Sequence, residues 1–216
     1  IGDAVAGSPA LALLRTPLVN TFALYVNGRR REVEGVASSP AGDVVDPFLR
    51  YAAPPQAAGD TGPCNAIEKT DRRKAGAAAV APTATTTRIT RRVRGCGRLV
   101  DASGLCETET WLQLPGTSHF LIRTDDSADE RAPCGLALLS AGLAFCYMTQ
   151  LARYIEGMKL AVGSIRLVQF SPFATTGAAG MPGASGGALP FDTHLFLTGD
   201  APGSVQSGLL TIAART

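Results

Sequence analysis

The chain has only two histidines, His119 and His194, and neither lies within four residues of a cysteine or of the other. A preformed metal centre is therefore not expected, because zinc and related metals are held by clustered His, Cys and carboxylate ligands. Its five cysteines, Cys64, Cys96, Cys106, Cys134 and Cys146, are odd in number and form no C-x-x-C pair. That pattern argues against a disulfide framework as well as a zinc site. Free thiols fit a reducing compartment, so a cytoplasmic location is expected. Charge of one sign is also scarce: 20 Lys and Arg against 18 Asp and Glu leave a net charge of +2. This is too little to draw nucleic acid or a membrane by bulk attraction. The apolar stretch Gly135–Phe145 stops at eleven residues, short of the roughly 20 that a membrane helix needs. No basic cluster followed by an apolar run and a small-residue cleavage site opens the chain, so no secretory signal is read. A soluble protein without a cofactor is the expectation.

What is present can build a core. Of 216 residues, 45% are hydrophobic, enough for one large domain or a domain with an extension. Residues 52–87 are crowded with Ala, Pro, Gly and Thr and read as linker or loop. Upstream, residues 1–51 read as a small extension with a hairpin. Its strands are Thr21–Val26 and Arg29–Val36, and Asn27-Gly28 suits the positive φ angles of a type I′ turn. Asp46-Pro47-Phe48-Leu49-Arg50-Tyr51 carries Phe, Leu and Tyr that need a surface to cover, so the extension is expected to pack on a main domain spanning 88–216.

In that domain Ile89, Val93 and Leu99 alternate with Arg88, Arg92, Arg94 and Arg98, the period of a half-exposed strand. Asp101–Gly104 supplies a turn, and strands are predicted at Leu105–Leu114 and Ser118–Thr124. The acidic loop Asp125–Glu130 places negative charge ahead of a helix N-terminus, and residues 134–158 read as that helix. Its front half is apolar all round, which predicts burial on every side, by a wrapping sheet or by a partner subunit. Ser164–Phe170 and Phe191–Thr198 are further strands. The Gly- and Ala-rich segment between them, Ala174–Leu189, reads as a mobile loop, and Gly203–Thr216 reads as a final helix.

The order of three strands, a long helix, two strands and a final helix resembles the OsmC/Ohr family of osmotically inducible and organic-hydroperoxide-resistance proteins. The run Pro133-Cys134-Gly135-Leu136-Ala137-Leu138-Leu139-Ser140-Ala141-Gly142-Leu143-Ala144-Phe145-Cys146-Tyr147-Met148-Thr149 is similar to that family's central helix. Phe191–Thr198, Gly199-Asp200-Ala201 and the terminal helix are similar to its C-terminal half. The resemblance covers about residues 88–216. It implies an OsmC-like α+β fold, with an antiparallel sheet wrapped around a long buried central helix, and an intertwined homodimer whose sites draw on both chains. It also implies thiol peroxidase chemistry on organic hydroperoxides. Cys146 stands where the family's nucleophile stands; it would attack the peroxide oxygen and become a sulfenic acid. An arginine and a glutamate favour the reactive thiolate in such sites.

The rest of that site matches only in part. Cys134, not glutamate, follows Pro133, and Leu136 stands ten residues before Cys146. Glu130 is the nearest carboxylate and would serve if the loop before the helix folds inward. Arg88, Arg91, Arg92, Arg94 and Arg98 are all available as the arginine, with Arg94 carried as the candidate; the Asp101–Gly104 turn holds none. No cysteine follows Cys146 in the sequence. Cys134 is a poor resolving partner, because twelve helical residues span about 18 Å whereas a disulfide needs Cα atoms within about 7 Å. A turn at 101–104 likewise puts Cys96 and Cys106 on opposite faces of their hairpin. The resemblance implies a resolving cysteine on the last helix, close to Thr216; either a few missing residues there hold it, or an external thiol is the reductant.

Against the catalytic reading stands the plain one, in which Cys146 is a small apolar residue packed in a buried helix. An OsmC-like module without catalysis, binding a small apolar ligand or a partner in its dimer cleft, is the alternative function. Gly183-Ala184-Ser185-Gly186-Gly187 fits G-x-S-x-G, but Ala188-Leu189-Pro190 offers no helix for a nucleophile elbow. The basic stretch Arg72–Arg98 holds eight of the twenty Lys and Arg with no acid and no interleaved aromatics. It reads as the solvated face of an edge strand, with nucleic-acid binding a distant option.

Overall fold

A computed structural model describes residues 6–50, 66–71, 91–114, 116–178 and 181–214. The expectations placed on Cys64, on Arg88 and Ile89, and on most of the basic run after Arg72 lie outside these residues. The fold is mixed α+β. In chain order its elements are α1 (Pro9–Arg15), β1 (Thr21–Val26), β2 (Arg29–Arg31), β3 (Ala37–Ser38), β4 (Ile67–Asp71), β5 (Val93–Leu99), β6 (Leu105–Leu112) and β7 (His119–Asp125). There follow α2 (Gly135–Gly157), β8 (Val162–Phe170), β9 (Phe173–Thr176), β10 (Ser185–Ala188), β11 (Asp192–Gly199) and α3 (Gly203–Ala214). The chain forms two compact units: residues 1–53 with 139–216, and residues 54–138. The composition-based division at 51 and 87 follows chain order, and these units cut across it.

In the first unit the sheet order is β2-β1-β11-β8, with β3 beside β1. Strand β1 runs parallel to β11 in register from Thr21 opposite Asp192 to Val26 opposite Leu197. It lies inside the sheet and is buried on both faces, which is why its sequence is a continuous apolar run and not an alternating one. Phe22, Leu24 and Val26 face one side with Leu195, Leu197, Leu151 of α2, and Leu209 and Leu210 of α3. Ala23 and Tyr25 face the other side with Phe196 and Val44. The predicted Asn-Gly hairpin is present: Asn27 has φ 49° and Gly28 φ 78°, and β1 pairs antiparallel with β2.

In the second unit β4-β7-β6-β5 form an antiparallel sheet. Strand β4 lies in the stretch read from composition as linker. Ile67, Glu68, Lys69 and Asp71 pair with β7 there, a short charged strand without apolar alternation inside low-complexity sequence. Cys96 pairs with Glu109 and Leu99 with Cys106, so the two thiols occupy opposite faces.

One further expectation is corrected. The segment between β8 and β11 is no structureless loop: β9 and β10 pair antiparallel, with Phe173 opposite Ala188 and Thr176 opposite Ser185. Helix α2 is not enclosed within the single chain, since Leu151 is its one buried residue. Its back half docks on the first sheet through Tyr147, Leu151, Tyr154 and Ile155. The small residues of its front half present little bulk to any neighbour, and Phe145 stays 68% exposed. The helix is long and apolar enough to cross a membrane, yet that docking ties half of it to a protein core.

Candidate functional site

Cys146 is set by the side of α2 that packs. Tyr147, Leu151, Tyr154 and Ile155 recur at helical spacing and turn into the sheet. Gly142, Phe145, Cys146, Thr149 and Arg153 consequently form an exposed stripe. Tyr147 is fixed by an edge-on contact with Phe22, ring centroids 6.0 Å apart. The thiol is thus exposed, beside a glycine one turn earlier that leaves its approach open. Among the described residues no side chain hydrogen-bonds to it.

Arg94 and Glu130 belong to the second unit and Cys146 to the first, and within neither unit do the three meet. Arg94 sits on β5 opposite Trp111, its guanidinium carbon 5.4 Å from the centre of the Trp111 ring. That ring stacks on His119 at 4.5 Å and 7°, and His119 Nδ1 lies 2.9 Å from Glu109 Oε1. The cation therefore rests on an aromatic face, a contact worth about 0.5–1 kcal/mol at an exposed site.

Glu130 lies in the loop before α2 with φ 46°, on the wall of an open cleft of about 650 Å³ shared with Asp125, Asp126, Arg131 and Cys134. The sequence reading passed over Arg131, the centre of charge here. Its Nε donates to Asp125 Oδ2 at 2.9 Å and its Nη1 to Asp101 Oδ2 at 2.8 Å. The turn that carries no arginine of its own is served by one from the helix-leading loop. Hydrogen bonds from Ser127 first, then the Arg131 guanidinium, hold the Asp125 carboxyl down at about 2. Arg131 and Ser103 hold Asp101 well below the usual carboxylate range. Cys134 Sγ accepts the Ala137 N–H at 3.4 Å, so this thiol stands where an N-cap hydroxyl usually would.

His194 is fully buried on β11. Its Nε2 lies 2.9 Å from Asp192 Oδ2 and 3.4 Å from Ser39 Oγ. Ser39 Oγ donates to Asp192 Oδ2, and Thr21 Oγ1 to Asp192 Oδ1, each at 2.8 Å. Burial raises the Asp192 pKa, but the bonds from His194, Ser39 and Thr21 together outweigh it, and the net shift is downward. Ser, His and Asp side chains meet here without forming a hydrolytic triad. Such a triad needs the serine on one ring nitrogen and the carboxylate on the other; here both share Nε2, and among the described residues Nδ1 has no partner. The cluster pins the segment after β3 to the sheet. Among the described residues no three His, Cys, Asp or Glu side chains gather as a metal site.

No known protein family matches the chain, and no curated protein does. Among solved structures the chain is similar in part to an OsmC-like hydroperoxide resistance protein from Jannaschia sp. CCS1. Identity is 25% and the TM-score 0.35, over 58% of this chain and 81% of that one.

Proposed function

We propose that the protein is an OsmC-like thiol peroxidase that reduces organic hydroperoxides, with Cys146 as nucleophile. One observation carries the reading: the cysteine at the position matching the family's nucleophile is exposed on α2, not packed as a core residue. The Cys146 thiolate attacks one oxygen of R–O–O–H and the O–O bond breaks. The sulfur keeps that oxygen as a sulfenic acid, and the alkoxide leaves with a proton as R–OH. Two equivalents of an external thiol then return the sulfur to thiol, yielding a disulfide and water. Arg94 is assigned to thiolate support and Glu130 to orienting it, across an intertwined homodimer in which a second copy covers the Phe145 stripe. No cofactor is required, and a cytoplasmic location supplies the reductant.

Cumene hydroperoxide consumption by the purified chain with excess dithiol tests this. Turnover should fall by at least about 100-fold in Cys146→Ser, the scale of losing an activated nucleophile. Equal rates in the two proteins, or no turnover by either, would overturn it. That no side chain among the described residues is bonded to the thiol favours a second reading, a catalytically silent module of the same fold, which a negative assay would leave standing.

A further inference from the structure

We infer that the first unit contains a binding site for a single aliphatic chain, in the cavity between the α1–β1 segment and α2. The cavity measures about 320 Å³, at the small end of the range for small-molecule sites, and like them it is mostly apolar with few polar groups. Leu13, Leu14 and Leu18 form one wall, Leu139 and Leu143 of α2 another, and Phe191 closes it.

These walls are held from outside the cavity. Helix α1 is pressed onto β10 at Gly186, where a Cβ would come within 2.5 Å of the Pro9 nitrogen and the Ser8 carbonyl carbon. Asn20 Oδ1 accepts the Phe191 N–H at 3.0 Å, and the Phe191 ring meets Phe173 edge-on at 5.7 Å. A site fixed in this way loses little entropy when filled. A cavity of this volume takes only a few side chains of a protein surface, whereas one alkyl chain fills it. The lining includes Thr16 and Asn20 but no charged residue, so the ligand's head group is held by hydrogen bonds and not by an ion pair. Fatty acids, fatty alcohols and lipid acyl chains share the required chemistry; a neutral head fits best.

Binding of dansyl-undecanoic acid to the purified full chain, followed by dansyl emission, tests the inference. Saturable binding of one probe per chain is expected, displaced by decanol at least as well as by decanoate. Leu14 is 80% exposed, so Leu14→Asp leaves the core intact; Leu143→Trp fills the cavity. Each should weaken binding by about tenfold or more, the scale of losing a few buried methylene contacts. Leu49→Asp, at a leucine 71% exposed elsewhere in the unit, should not. Four outcomes would overturn the inference: non-saturable uptake, unchanged affinity in both variants, displacement only by phosphatidylcholine vesicles, and loss of binding as a dimer forms at higher protein concentration. The site stands apart from thiol chemistry, so a chain that binds the probe but consumes no hydroperoxide would keep it and lose the peroxidase reading.

Discussion

Asp101 and Asp125 come from different turns, and one guanidinium holds both carboxylates. Arg131 could not be assigned that role from its neighbours in sequence, because the β6–β7 pairing, with Leu105 opposite Asp125, is what brings the two turns together. Cys146, by contrast, is singled out by its place in the apolar run alone, though its exposure depends on which side of α2 packs. The charge cluster has a consequence in acid. The folded pKa of Asp125, about 2, lies below its unfolded value near 3.9. Its carboxylate therefore contributes stability that is complete above about pH 4 and is lost as pH falls through about 2. Asp101 acts with the same sign. Urea unfolding of wild type and Asp125→Asn should show the variant less stable at pH 6, with the gap closing toward pH 2. A gap that stays constant across this range would show that Asp125 acts through packing and not through its charge.

Elements whose sequence carries a side-chain period, or a turn signal such as the Asn27-Gly28 that marks β1, were readable, and those without either were not. Strands β6, β7, β8 and β11 and helices α2 and α3 fall within a few residues of their predicted limits. Strand β10 is Ser-Gly-Gly-Ala, with almost no side chains to alternate; its pairing is set by backbone hydrogen bonds that leave no mark on composition. The short α1 was missed inside a segment assigned as an extension, although Ser8 caps it, its Oγ accepting the Leu11 N–H, and Pro9 follows at the first helical position. Gly199 shows how one residue can decide an element's end. Strand β11 shifts register between Thr198 and Gly199 against β8, and Gly199 takes φ 140° at a place where a Cβ would come within 2.3 Å of the Ala161 carbonyl oxygen. A side chain there meets both strain and backbone. Gly199→Ala should destabilise the first unit by about 1–3 kcal/mol or more, read as a lowered urea midpoint with an unchanged slope.

At the scale of the whole molecule, the first unit is assembled from both parts of the chain. Composition drew the early boundary at residue 51 because the sequence thins into Ala and Pro there, but strand pairing does not respect covalent order. Strand β1 lies between β2 and β11, and parallel pairing with a strand some 170 residues later requires a long connection by geometry. Such a partner leaves no local trace, so the hairpin was legible and its place in the sheet was not. The difference is testable. An extension packed on a finished domain could be removed at modest cost. Here the loss of residues 1–38 strips Phe22, Leu24, Tyr25 and Val26 from the two cores, burial worth on the order of 10 kcal/mol. That matches the whole stability of a typical domain, about 5–15 kcal/mol, and it leaves the inner edge of β11 unpaired. The truncated chain should therefore lose the near-ultraviolet circular dichroism of the first unit and its cooperative urea transition. A truncated protein that keeps that transition would mean that β11, β8, α2 and α3 form a self-sufficient layer and that β1 is an accessory strand.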